Sequence, residues 1–353
     1  MIEISANGTA YDRGRAQAGA ASAALVRQAT VARVDRARAD GVIDAAAESY
    51  LLAQRQFHER HDPEGLAELA GVAAGFELPE PDLFAHLHLG TLRDIKGGAI
   101  LLDGCSAWAV SAGPEGALVV KNRDTSGIPI GVQCVLRHSG PDILTGQVLS
   151  LSSLGSLAAW SSGINAAGLA VADTQVAVNR HRVGWLRYFL LPRLLARARS
   201  VDEAVAIIRS LPHAGGGTLV LADRAGATAA VELSATGPVI TEGGLQWRTN
   251  HYTAPETRAE TLGQDGDRIA GNSHRRFDFL GRVLPDQAWT VAQAKALMAT
   301  HPGQNAAPIC QHADGIDGAE TISSVIYSCS VGGMEISDGT PCLGQWQKVE
   351  PCR

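Results

Sequence analysis

The chain of 353 residues lacks any run of eighteen apolar residues, and its N-terminus, "MIEISANGTAYDRGRAQAG", lacks a basic stretch followed by an apolar one. Neither a membrane span nor a secretory signal is expected, and the location expected is cytoplasmic. Charge of one sign never accumulates. The net charge of -6 and the pI near 6.0 come from interspersed residues, with no basic stripe to collect phosphate backbones or anionic lipid, so no nucleic acid and no membrane are expected as partners. Cysteine is sparse: Cys105, Cys134, Cys310, Cys329, Cys342 and Cys352 are too few for a disulfide framework and form no CxxC pair, which suits reduced thiols. There is no glycine-rich phosphate loop and no cluster of lysines, and no cofactor is expected. The metal-like spacings are weak. "FHERH" sets His58 and His61 three apart on a helix, "AHLHLG" sets His86 and His88 on one strand-like face, and "CQH" joins Cys310 to His312, each without a matching second pair; no metal site is expected.

What is present is ordinary globular material, 45% hydrophobic and 19% charged. Up to about residue 90 the period is helical, in "AASAALVRQATVARVDRARAD" and "IDAAAESYLLAQRQFHERH", and two shorter helices are split by Pro79 and Pro81. From Ala99 the texture changes to strand, turn and strand, and "AAWSSGINAAGLAVADTQV" reads as a hairpin around Gly163 and Gly168. Two helices follow, one kinked or split at Pro192 and one opening on Ser200 with Glu203 three residues later, the spacing of a capping box. Four strand-like runs between residues 217 and 252, two further helices and a closing hairpin complete the chain. Consecutive hairpins imply antiparallel sheets, and paired helices between strand groups imply helices over sheet faces. The fold class expected is α+β, with two stacked antiparallel sheets between helical layers.

One stretch, "LLDGCSAWAV", breaks an apolar run with Asp103-Gly104 and follows it at once with Cys105. If Gly113 and Gly116 flank a two-residue loop, paired positions sum to 229, which sets Asp124 of "VVKNRD" across from Cys105. Proline and glycine at the second and fourth turn positions also suit a type I turn, which shifts the register by one. A buried carboxylate costs several kcal/mol unless donors satisfy it. Cleavage between Gly104 and Cys105 would create such a donor, an α-amine with a pKa of about 7.7 to 8.0 that can take the proton of its own residue's thiol. Glycine before the cysteine would let a strained backbone form at low cost, and Asp103 would assist the proton transfer or shape the turn. The same three residues also read as a hairpin turn before a buried thiol.

"DGCSAWAV" followed by "KNRD" resembles the start of the mature chain in the acyl-coenzyme A:isopenicillin N acyltransferase family of N-terminal-nucleophile (Ntn) enzymes. "ELAGVAAGFELPEPDLFAHLHL", "WSSGINAAGLAVADT", "RTNHY", "TISSVIYS" and "GTPC" resemble further family segments in the same order, over most of residues 65 to 345. The resemblance implies a four-layer αββα Ntn sandwich, self-cleaved into a helical segment 1–104 that is retained and a segment 105–353 that carries the nucleophile. It implies autoprocessing at Gly104, Cys105 and Asp103. It also implies Cys105 as nucleophile with its own amine as base, Asp124 holding that amine, and the side-chain amide of Asn250 aimed at the tetrahedral oxyanion. The chain departs from the family where "DGAE" precedes "TISSVIYS", a place where the fungal acyltransferase has an arginine, and at His86 and His88, where asparagine is common. Trp160, Trp247 and Tyr252 are candidates for an acyl pocket or for core.

The activity expected is hydrolysis of a small N-acyl compound or short peptide through a thioester acyl-enzyme. The alternative is an acyltransferase moving an acyl group from a thioester such as acyl-CoA to an amine. Three rivals stand beside these. The sister class of bile-salt hydrolases and penicillin V acylases exposes its cysteine just after the initiator methionine, a Cys-His hydrolase would pair Cys105 with His251 or His312, and a binding or scaffold protein would keep Cys105 buried and the chain whole. The partners expected are the small-molecule substrate and the two associated fragments, and the sequence is compatible with a homo-oligomer.

Overall fold

Apolar residues that alternate along the strands give each sheet two buried faces, and this decides the layering. The computed structural model describes residues 1–97, 104–126, 131–262, 268–285, 287–301, 308–312 and 319–352. Strands are numbered along the chain. The first sheet has the order β1 (Ile2–Asn7), β4 (Gln133–Ser139), β5 (Gln147–Ser153), β6 (Ser162–Asn165), β7 (Ala170–Thr174), β8 (Thr218–Ala222), β9 (Thr228–Ser234) and β10 (Gly237–Glu242). The second has the order β11 (Leu245–Arg248), β2 (Cys105–Val110), β3 (Leu118–Ser126), β12 (Ala319–Ser328), β13 (Gly333–Ser337) and β14 (Trp346–Val349).

Ala107, Ala109, Val119 and Tyr327 of the second sheet meet Leu149, Leu151, Ile164 and Val220 of the first in one apolar layer. One residue along, Trp108, Val110, Val120 and Ile326 point the other way, under the helices Arg268–Val283 and Val291–Met298. On the first sheet, Cys134, Leu136, Val171 and Leu219 face outward against the helices between residues 23 and 95 and the helix Arg187–Arg197. The result is the expected αββα order of layers. Each fully buried Leu or Val in these faces contributes about 1.5–3 kcal/mol.

Local expectations mostly hold. The helices Pro63–Phe76 and Glu80–Ile95 part at Glu77, whose φ of 54° is left-handed, and Pro79 caps the second. His86 and His88 are therefore helical residues, a correction to the strand-like reading. The helix Arg187–Arg197 runs through Pro192. Ser200 caps its helix by accepting from the Glu203 N–H at 3.3 Å, whereas the Glu203 carboxylate accepts from the Arg199 N–H, so the box is not closed on the cap residue. Gly163 lies within β6 rather than at a turn. Among the strands of the described residues, β1 departs from the antiparallel pattern by running parallel to β4.

Candidate active site

Cys105 is the first residue of β2. The facing partner expected for it is corrected, because Cys105 pairs with Arg123 and not with Asp124. The Gly116 N–H donates to the Gly113 carbonyl at 3.0 Å and Gly116 has a φ of +87°, so the turn carries one extra left-handed residue that moves the register by one. Asp124 then faces Gly104: its N–H donates to the Gly104 carbonyl at 2.8 Å, and the Gly104 N–H donates back to the Asp124 carbonyl at 3.3 Å. Gly104 has no positive φ, so the strained-backbone expectation is also corrected. Crowding is what calls for glycine, since a Cβ there would lie 3.1 Å from Asp124 Oδ2 and 3.2 Å from Gln311 Nε2. Asp103 lies outside the described residues.

The Asp124 carboxylate is buried, and its two oxygens accept from Gln311 Nε2 and from Thr321 Oγ1, each at 2.6 Å. Burial raises its pKa, opposed by the Arg276 guanidinium and those two donors. Asn250 turns its amide oxygen toward the start of β2. Its Oδ1 accepts from the Cys105 N–H at 3.0 Å and from Arg276 Nη2 at 2.7 Å, and its Nδ2 donates to the Gln175 carbonyl at 2.8 Å. Two donors converging on one atom fix that atom as the oxygen. Arg276, itself buried, also donates to the Cys105 carbonyl at 2.6 Å and to Ser106 Oγ at 2.9 Å, clamping the start of β2.

On the pocket side lies a chain of buried ions. Lys121 Nζ is paired with Asp173 Oδ1 and donates to the Asp173 carbonyl at 2.6 Å, while Arg187 Nε donates to Asp173 Oδ2 at 2.9 Å. Burial raises the pKa of the Cys105 thiol, and Lys121 pulls it back. Among the described residues no histidine hydrogen-bonds to Cys105. His251 faces Ser273, with Nδ1 2.8 Å from the Ser273 hydroxyl, and its burial lowers its pKa to about 3. His312 lies beside Cys342 and Cys310 instead. The structure supports neither as a partner of Cys105.

Cys105 opens into a cavity of about 110 Å³ that Lys121, Arg123, Asp124, Trp160, Asp173 and Arg187 help to line. Its wall is an aromatic stack: His86 lies over Trp160 at 5.8 Å between ring centres, Trp160 over Tyr188 at 3.7 Å, and the Arg187 guanidinium over Tyr188 at 4.1 Å. Of the three aromatic candidates only Trp160 lines the cavity; Trp247 packs on Phe277, and the Tyr252 hydroxyl donates to the Leu233 carbonyl. Sequence reasoning missed Lys121, Asp173, Arg187, Arg276, Gln311 and Thr321. The signal for two of them is a charged residue inside an apolar strand run, Lys121 in "VVKNRD" and Asp173 in "LAVADT". The expected lack of a second pair for Cys310 and His312 is corrected as well, since His301 and Cys342 come together with them.

Two sheets between helical layers, with a cysteine leading an inner strand of one, match the fold that the resemblance to Ntn enzymes implies. The chain belongs to the acyl-coenzyme A:6-aminopenicillanic acid acyl-transferase family, whose model matches residues 111–341. That span includes Asp124 and Asn250 and begins just after β2. Membership of this family makes the protein an enzyme of acyl-transfer chemistry at amide C–N bonds, and the scaffold reading is set aside. No curated protein matches the chain. Among solved structures it is similar to a mutant conjugated bile acid hydrolase from Clostridium perfringens, at 14% identity and a TM-score of 0.46, over 70% of this chain and 92% of that one. It is also similar to penicillin V acylase from Agrobacterium tumefaciens, at 15% identity and a TM-score of 0.42, over 66% and 83%. No helix among the described residues is long and apolar enough to cross a membrane.

Proposed function

We propose that the protein is a self-processing N-terminal cysteine amidohydrolase that cleaves the amide bond of a small N-acyl compound or short peptide. The observation that carries this reading is the 3.0 Å hydrogen bond from the Cys105 N–H to Asn250 Oδ1, beside the Asp124 carboxylate: the nitrogen that cleavage would free already has its seat. In the intact chain Cys105 Sγ attacks the Gly104 carbonyl, whose oxygen accepts from the Asp124 N–H. The C–N bond gives way to a thioester, and water hydrolyses it to leave a Gly104 carboxylate and a free Cys105 amine. The segments 1–104 and 105–353 stay together, because the helices between residues 23 and 95 share one apolar core with the first sheet.

In the processed enzyme the amine takes the thiol proton and the thiolate attacks the substrate carbonyl. The Cys105 ammonium then protonates the departing amine, and water resolves the thioester with the amine as base. Asp124 and Asn250 Oδ1 orient the amine, and the Asn250 Nδ2 hydrogen not given to Gln175 is assigned to the oxyanion. Purified protein should show pieces of 104 and 249 residues (353 minus 104), the larger beginning with cysteine, and should hydrolyse members of a panel of N-acyl amino acids and short peptides. A whole chain with full activity would overturn the assignment of the base.

One observation favours a second reading, acyl transfer from a thioester. Among the described residues Arg33, Arg93, Arg123, Lys121 and Arg187 line the cavity together with Asp124 and Asp173, and basic side chains suit a substrate carboxylate or thioester-carrier phosphates. Acyl thioesters offered with and without amines separate the readings by the ratio of amide to free acid produced.

A further inference from the structure

We propose that His301, Cys310, His312 and Cys342 bind one zinc ion as a closed structural site. The four residues come from three separate stretches: His301 follows the helix Val291–Met298, Cys310 and His312 lie on the approach to β12, and Cys342 sits in the turn after β13. Each offers one ligand atom, and all four atoms lie within 4.8 Å of one another. His312 Nε2 is 3.4 Å from Cys342 Sγ and 3.8 Å from Cys310 Sγ, and the rings of His301 and His312 are 4.7 Å apart. A tetrahedral zinc with Zn–S of about 2.3 Å and Zn–N of about 2.0–2.1 Å has S···N edges of about 3.6 Å, so the donors stand close to ligating distances already. Two thiols and two imidazoles, with no carboxylate in the cluster among the described residues, suit zinc and not calcium or magnesium. With four protein ligands no position is left for water or substrate, which makes the site structural. A disulfide between Cys310 and Cys342 would account for the two sulfurs but not for two imidazoles at the same point, and both cysteines are free.

The site has a consequence that rests on the function proposed above. Gln311 lies between two of the ligands, and its side chain donates to Asp124 Oδ2 while its backbone exchanges hydrogen bonds with Thr321, the other donor to Asp124. An ion pinning residues 310 and 312 would make Gln311 a fixed positioning residue for the carboxylate beside the nucleophile.

The test uses the full-length chain, purified under reducing conditions without chelator. Elemental analysis should find about one zinc per chain, and replacement by cobalt(II) should give the visible d–d bands and thiolate charge-transfer absorption of a tetrahedral site. Cys342→Ser and His301→Ala should lower zinc content, remove the cobalt spectrum and abolish the drop in melting temperature that a chelator causes in the parent chain; Cys352→Ser should change none of these. Zinc well below one per chain after reduction and dialysis against zinc overturns the proposal, as does full zinc retention in the Cys342→Ser, His301→Ala double variant. Should those variants not fold, the cobalt spectrum of the unaltered chain decides alone. Cys105→Ala should hold the same zinc, so the failure of self-cleavage and the failure of metal binding are read separately.

Discussion

Cys105 on β2 and Cys134 on β4 are both buried thiols whose pKa burial raises, yet their surroundings have little in common. Cys134 lies in the apolar layer between the first sheet and the helices, and its thiol is pushed to about 12 with only Arg123 opposing. Around Cys105 stand Lys121, Asp173, Arg187, Asp124 and Arg276, five buried ions where apolar side chains could have packed. Burying an ion costs several kcal/mol even after partial compensation, and each of these is compensated: Asp173 by two cations, Asp124 by two neutral donors, Arg276 by four oxygens. Burial alone leaves a thiol inert, whereas a core that holds ions against that cost around one sulfur is arranged for chemistry.

The sharpest way to break this contrast is to truncate both sulfurs. Cys105→Ala should give one uncut chain on a gel and lower activity by roughly 10⁵-fold or more. Cys134→Ala should give two pieces and near-normal activity, and should cost about 1–3 kcal/mol of stability in a denaturant melt. If the two variants behave alike in the gel, the ions around Cys105 are structural. Asp124→Asn keeps the shape but removes the charge proposed to orient the amine; kcat/KM should fall about 10³-fold with the substitution's effect concentrated in kcat. Asn250→Ala removes the seat of the Cys105 nitrogen together with an Arg276 partner and should cost about 10²- to 10³-fold in kcat.

The four-layer order was legible because it follows from hairpin spacing and alternation, which are local. β1 and its parallel pairing with β4 were not, since the partners are more than a hundred residues apart and no local pattern records that. The register of the Cys105 hairpin turned on one left-handed residue, Gly116, and the turn sequence admitted both outcomes. Cys105, Asp124 and Asn250 could be named from short motifs and do converge, but the orientation of the Asn250 amide depends on Arg276, which arrives from a helix with no motif of its own. The His301–Cys342 cluster escaped notice for the same reason: its donors reach one point only through the packing of three separate segments.

The smallest effect expected lies on the Cys134 side of the first sheet and concerns pH. His138 shares β4 with Cys134 and faces Glu68, 3.9 Å away. Burial lowers His138 to about 3 and raises Glu68 to about 7. A histidine held neutral contributes stability that is present above its ordinary 6.5 and is lost as pH falls toward 3. A carboxyl whose folded pKa is raised works the opposite way: its contribution is present below its ordinary 4.5 and is lost as pH rises through 7. Glu68→Gln keeps an oxygen for the Ala158 N–H, which Glu68 Oε1 accepts at 2.7 Å, and removes the second titration only. Its melting temperature should therefore hold up better than the parent's between pH 4.5 and 8, by an amount equivalent to about 3 kcal/mol at the alkaline end. Asp62, also raised to about 7, should keep part of the alkaline decline in both chains. Parallel melting curves for the two chains would place the Glu68 carboxyl at its ordinary value, and the apolar side of the sheet would then be wetter than its packing implies.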